Sequence, residues 1–414
     1  MKRCSVVIGS MWGDEGKGHM TDILCSKDNN TLNVRFNGGA QASHTVVTPD
    51  NKRHAFRHFG AGTFAGARTY LSEDFIVNPI AFVLEKDELI QTFGISPYVY
   101  VNLNCIVTTP WDIFINQAVE EMRGNNRHGS CGFGINETVV RNRTDKYKLT
   151  VTDLFYEDKL SEKLQVIQNE YVEWRLRTEY GLGIEDLPDD YREALCNSEN
   201  IDMFLFYIQE FMANVHLVGD SVLRLYDNVV FEGAQGLLLD QNNKAYLPHV
   251  TTSNTGIKNV MKILRNIGFD GDVDIYYMSR CYLTKHGAGP FKNELGRVPY
   301  RNVVDLTNVP NEFQGALRFG YLDFDLLATE INKDLENLSV SANVYITFTC
   351  LDQVDKQVIY FENGEQKSVK DSEFLDIAWK SFNGRLKKLN GLYATVGLTR
   401  ENFISYELKN VTYV

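Results

Sequence analysis

Residues 5–18, SVVIGSMWGDEGKG, restrict the fold of this chain more than any other stretch. The β-branched run 5–9 ends in glycine, the pattern of a buried strand. A glycine-rich turn follows, and residues 20–26 carry apolar side chains at helical spacing. In the turn, Gly9, Gly13, Gly16 and Gly18 let backbone N–H groups point at a phosphate, and Lys17 adds a positive charge. The spacing departs from GxxxxGK[ST]. The Asp14–Glu15 pair sets it further apart, because a carboxylate repels a phosphate unless it holds Mg2+ or takes a proton. Taken alone, the motif is equally well explained as an ordinary strand-to-helix turn with solvated acids.

The same grammar recurs along the chain. Residues 32–36, 229–231 and 273–278 are short apolar runs, each followed by a loop rich in Gly, Ser, Thr or Asn. Strands alternating with helical segments predict an α/β fold, a single large domain spanning 1–414 with a central, mostly parallel β-sheet flanked by helices. Residues 150–227 differ: apolar side chains at helical intervals predict a helical region packed on the sheet. From residue 340 strand-like runs return, with a polar turn at 362–366.

A net charge of −12 argues against the broad basic surface that would track a phosphate backbone, so nucleic acid is excluded as the main partner. No apolar run reaches membrane length, and the N-terminal one is too short for a signal peptide. Seven cysteines without a CxxC pair read as reduced thiols, so a cytoplasmic protein without membrane or zinc is expected.

Three further motifs offer chemistry. NGGAQASHT (37–45) places His44 beside glycines, where it can stabilise or protonate a phosphate oxygen. FEGAQG (231–236) ends a strand with an amide, and VTTSNT (250–255) offers hydroxyl and amide groups to an anion. KHGAGPF (285–291) is another tight Gly/Pro turn after a strand. Singly, each is also readable as a plain polar loop or a structural histidine.

Together, WGDEGKG, GG-xxxx-HT, FEGAQG-LLLD, HVTTSN and GAGPF-xx-EL resemble, in order and spacing, the adenylosuccinate synthetases. The resemblance covers nearly the whole chain. It implies a two-step ligase in which GTP (ATP being the open alternative) phosphorylates O6 of IMP and the amine of L-aspartate displaces the phosphate. By that similarity Asp14 takes the N1 proton and ligates Mg2+, with the carbonyl of Ser43 as a second metal ligand. His44 hydrogen-bonds the moving phosphoryl group, and Lys17 neutralises its charge. Gln41, Ser130, Cys131, Gln235 and Thr251 match monophosphate-binding positions. Either Arg141 or Arg143 matches a monophosphate-binding arginine that reaches into the neighbouring subunit's site, implying a homodimer. Gly13, Glu15, Gly16, Lys17, Gly18 and Thr45 match the triphosphate loop, and Asp352, Thr395 and Gly397 the guanine contacts.

Departures accompany the match. Gln41 stands where relatives have Asn, and Ser130–Cys131 replaces a Thr pair, cysteine being the weaker donor. The arginine-rich aspartate-binding loop is shortened to NEFQGALRFG (311–320), leaving Arg318 alone as amino-donor ligand. One arginine cannot replace a bidentate cluster. Two other readings therefore stand beside the first. One is a specialised relative, of the kind found in viruses, that takes dGMP, another deoxynucleotide or another amino donor. The other is a silent nucleotide-binding homologue. In dGMP-using relatives a small residue is expected at the Asp14 position; here the acid is retained.

Overall fold

The computed structural model describes residues 1–414 except 125, 126, 128, 306, 307, 309–314, 408, 409 and 414, and side chains are not described at 407 and 410–413. An 11-stranded sheet runs through the molecule. From one edge its order is Asn410–Tyr413, Phe403–Glu407, Gly391–Thr395, Ala342–Thr349, Val273–Arg280, Arg3–Gly9, Asn228–Gly236, Thr31–Arg35, Arg68–Leu71, Val99–Asn102 and His216–Val218. Neighbours pair in parallel throughout, except for the two antiparallel pairings at the C-terminal edge. The sequence reading of a mostly parallel sheet is thus borne out, and with it the first strand, which pairs Val6 with Phe231 on one side and Ile275 on the other. Both its faces are covered, which is why SVVIG is apolar without alternation.

A second apolar cluster lies beyond the sheet, where the helical region docks. Leu160, Leu164, Ile167, Tyr171, Val172 and Leu176 are buried along one face of a rod running from Glu157 to Tyr180. Two π-helical turns, Ile167–Tyr171 and Leu176–Tyr180, rotate that face so that it stays on the core. Helices Asp189–Cys196 and Glu199–Ala213 complete the region. Its end needs correction: His216–Val218 is an edge strand pairing with Val99–Asn102. The strands Arg68–Leu71 and Val99–Asn102, and the helix Phe374–Phe382 within the C-terminal part, also went unread. The turn at 362–366 does join two antiparallel strands, Gln357–Glu362 and Glu365–Lys370. Among the described residues no helix is long and apolar enough to cross a membrane.

Candidate active site at the carboxyl ends of the parallel strands

Open parallel sheets bind ligands beyond the carboxyl ends of their strands, where loops converge. Here a cleft of about 760 Å³ occupies that place. The glycine-rich loop enters it between strand Arg3–Gly9 and helix Lys17–Cys25. Its path needs glycine at two points. Gly13 has φ +113° with a Cβ position 3.0 Å from the Gln235 backbone, and Gly16 has φ +79° against the Thr349 side chain. The loop is thereby pressed between the ends of two other strands. Gln235 itself holds a left-handed φ of 64° at the cleft wall, strain of the kind kept at functional sites.

The side chain of Glu15, a residue expected at the triphosphate, turns inward. Its Oε1 accepts from Met11 N (3.0 Å) and Gly13 N (2.9 Å), so its side chain braces the loop from within. Lys17 is buried at the start of the helix and donates to the Gly13 carbonyl. Burial pulls its pKa down, opposed by Glu15, Asp14 and Glu232.

Asp14 faces the cleft beside His286 and Arg280. Its Oδ2 lies 2.8 Å from His286 Nε2, and its carbonyl accepts from Arg280 Nε. Burial would raise the Asp14 pKa, but the hydrogen bond and charge of His286, with Arg280 and Lys17, bring it down to about 2. His286 moves the opposite way: burial would lower it, and the Asp14 carboxylate raises it. Arg280 also contacts Asp305 at 3.3 Å, and His286 contacts Asn308 at 3.0 Å.

His44 begins the strand His44–Val47 and is held from behind. Its Nδ1 meets Glu232 Oε1 at 2.5 Å, while Glu232 Oε2 accepts from Ala61 N at 3.0 Å. Arg35, the register partner of Glu232 on the adjacent strand, lies 3.9 Å away and is fully buried. Burial, with Arg35 and Lys17, holds His44 at about 4 against the pull of Glu232. The resting ring is neutral, with Nδ1–H on Glu232 and Nε2 free to accept.

Sequence reasoning overlooked Glu232, Arg35, Arg280 and His286 as functional residues, although Glu232 and His286 fall within quoted motifs. A signal existed for two of them. LNVRF and VVFEG each put one charge, of opposite sign, within an apolar strand, and such charges need a partner when buried.

The predicted monophosphate ligands Gln41, Ser130, Cys131 and Thr251 line the cleft with Gln235, as do Gly13, Gly16, Gly18, Ser43 and Thr45. Asp352, Thr395 and Gly397 lie outside that lining, at or just beyond the carboxyl ends of Ala342–Thr349 and Gly391–Thr395, the former strand's end touching Gly16. One arginine assignment is corrected, and a second residue meets a competing partner. Arg141 is fully buried and spends its donors on Asp112 and the carbonyls of Val107 and Tyr147, so of the pair only Arg143 is exposed. Arg318 grips Glu294 at 2.7 and 2.5 Å and donates to the carbonyls of Gly287 and Gly289, both at 2.9 Å. With those donors spent it clips the 287–289 turn and is not a free carboxylate receptor. Residues 311–314 of the shortened loop lie outside the described residues.

A family model described as adenylosuccinate synthetase matches residues 6–367. The chain is 29% identical over 370 residues to the adenylosuccinate synthetase of Lactobacillus acidophilus, covering 87% of this chain and 81% of that one. It is 32% identical over 299 residues to that of Polynucleobacter necessarius, covering 71% and 64%. Its fold is similar to the fully ligated adenylosuccinate synthetase from Plasmodium falciparum (TM-score 0.72, 17% identity, 98% and 100% covered). It is also similar to a cyanophage S-2L succinoaminodeoxyadenylate synthetase bound to dGMP and dATP as an energy donor (TM-score 0.60, 12% identity, 97% and 95% covered). The chain belongs to the adenylosuccinate synthetase family of purine-biosynthetic ligases, enzymes that form a C–N bond.

Proposed function

We propose that this chain activates O6 of a purine nucleoside monophosphate, IMP by default, with the γ-phosphoryl group of GTP, and then lets the amine of L-aspartate displace the phosphate to give adenylosuccinate. The observation that carries the reading is the convergence of Asp14, Lys17 and the His44–Glu232 pair on one cleft at the glycine-rich loop. A lactam oxygen leaves poorly until it is a phosphate ester, so a base at N1 and a receptor for the moving phosphoryl group are the two necessities. Asp14 serves as the base, and purine binding must first draw it from His286, because at a pKa of about 2 it is a poor proton acceptor. An arriving phosphoryl group favours the His44 imidazolium, whose two N–H groups then hold Glu232 and a phosphoryl oxygen.

The donors fit Mg2+. Among the described residues no cluster of three ligating side chains exists, and Mg2+ takes one or two carboxylates with phosphate oxygens and water rather than a protein cage. Asp14, ionised, and the Ser43 carbonyl would hold it; bound there, it neutralises phosphate charge. Asp352, Thr395 and Gly397 are proposed to read the guanine, and Arg143 to meet a second copy in a homodimer in the cytoplasm.

A second reading concerns substrate choice. Arg318 is engaged with Glu294, and Gln41 replaces Asn, which together favour another amino donor or a deoxynucleotide. Retention of Asp14 favours a base without a 2-amino group. Phosphate release, measured for IMP, dIMP, GMP and dGMP against aspartate and other amino acids with GTP or ATP, tests both. Activity with dGMP alone overturns the IMP reading, and no release with any combination overturns the ligase.

A further inference from the structure

Arginines that line the cleft are mostly spent. Arg123 pairs with Glu120, Arg175 with Glu137, and Arg280 with Asp305. Arg57 is different: among the described residues no carboxylate lies within ion-pair reach of its guanidinium. Its Nη1 donates to the Ala40 carbonyl at 3.3 Å, and its plane packs on the Phe133 ring at 5.3 Å. Strand Arg53–Phe56 pairs with His44–Val47, Phe56 opposite His44, so Arg57 leaves the hairpin beside the histidine. A guanidinium fixed at its edge and face, yet carrying uncompensated charge into a cleft, is arranged for an anion.

The groups around it lack the means to hold that anion alone. Ser130 Oγ donates its proton to Asn116 Oδ1 at 2.8 Å and accepts from Gly132 N at 3.2 Å. Cys131 is a weak donor, and burial pushes its thiol further from ionising. Both amide atoms of Gln41 are buried without a hydrogen-bond partner in the same cleft. The wall thus offers one unspent charge and one unspent amide.

We infer that Arg57 is the principal anchor of the nucleotide's 5′-phosphate, supplied within the chain, with Gln41 beside it. This rests on the proposed function for the identity of the ligand. Phosphate is favoured over the amino donor's carboxylate because Gln41, Ser130 and Cys131, which line the cleft with Arg57, match the family's monophosphate positions, whereas the segment 311–320 is the one that matches its amino-donor loop.

Calorimetric titration of wild type, Arg57→Ala and Arg57→Lys with IMP and with inosine, and with GMP and guanosine, tests it without requiring turnover. Arg57→Ala should weaken monophosphate binding on the order of 10- to 100-fold, the scale of a charge-assisted hydrogen bond, and leave nucleoside binding unchanged. Arg57→Lys should fall between, keeping charge but losing the fork, and it serves if the alanine variant does not fold. Monophosphate binding that equals wild type in both variants, or a parallel loss of nucleoside, overturns the assignment. So does a loss confined to L-aspartate in a parallel titration, with monophosphate binding unchanged, which would make Arg57 a carboxylate receptor. Wild type that binds no purine monophosphate defeats the parent reading and this one together.

Discussion

The two walls of the cleft are built differently. One is formed by the glycine-rich loop, His44 and the end of strand Asn228–Gly236, and its reactive groups are backed by buried partners: Glu232 behind His44, Arg35 behind Glu232. The other is formed by the turn at 285–289, and its cations are turned onto protein groups. Lys285 donates to the carbonyls of His286, Gly287 and Ala288, and Arg318 holds Glu294. The first wall is organised to act on a ligand and the second to hold its own shape. The groups proposed for phosphoryl activation are therefore braced by buried partners, whereas the cations of the second wall are engaged with protein.

The largest test of that contrast is Asp14→Asn. The amide keeps the shape of the acid but cannot take a proton, and it loses the ion pair with His286. We expect kcat for phosphate release to fall by at least about 10³-fold while monophosphate binding, followed by calorimetry, survives. Retained turnover would remove Asp14 from the chemistry and the comparison with it. Glu232→Gln comes next. It weakens the hold on His44 Nδ1 and strands the buried Arg35, so a kcat loss on the order of 100-fold with a lower melting temperature is expected. Unchanged kcat in a folded Glu232→Gln protein would mean that His44 needs no orientation.

How much of this was readable beforehand depends on how far apart the partners lie in sequence. The first strand, the glycine turn and the 150–227 helices follow from local patterns of a few residues. The edge strand His216–Val218 is three residues long and exists only because Val99–Asn102 offers it a ladder. Asp14 and His286 meet across 272 positions, and His44 and Glu232 across 188, so no spacing rule could pair them. The surroundings of Arg318 are hidden for the same reason: sequence displays a free arginine, and only the fold shows Glu294 and two carbonyls already there.

The reactive wall should also be acid-sensitive at its base. His58 is fully buried between Phe75 and Phe82, and its Nε2 accepts from Asn78 N at 3.0 Å, which requires the neutral ring. Burial, then Arg35 and Arg57, lowers its pKa to about 3, while Glu85 stands 3.9 Å from Nδ1. A histidine depressed on folding lets the unfolded chain bind more protons between the two pKa values. Its stabilising contribution is therefore complete above about pH 6.5 and is lost progressively down to about pH 3. Melting temperatures across that window should fall with pH in wild type, and less steeply in His58→Gln. Equal slopes would show that His58 is not the group responsible.

The smallest expected effect falls on the other wall, and its smallness is the point. Arg318→Ala removes a pair whose side chains are 25% and 40% exposed, so the ion pair itself is worth about 1 kcal/mol or less. The two carbonyl contacts add to the stiffness of the 287–289 turn, which follows His286 directly. We expect a slightly lower melting temperature, a small fall in kcat through that turn, and an amino-donor KM within about three-fold of wild type. A receptor of substrate carboxylates behaves otherwise, because losing a bidentate, charge-assisted contact costs about 1.5–3 kcal/mol, or tenfold and more in KM. If Arg318→Ala raises the donor KM to that extent with stability unchanged, then Glu294 releases Arg318 when the donor arrives. The second wall would then be reactive as well, and the contrast between the walls would hold only for the unliganded protein.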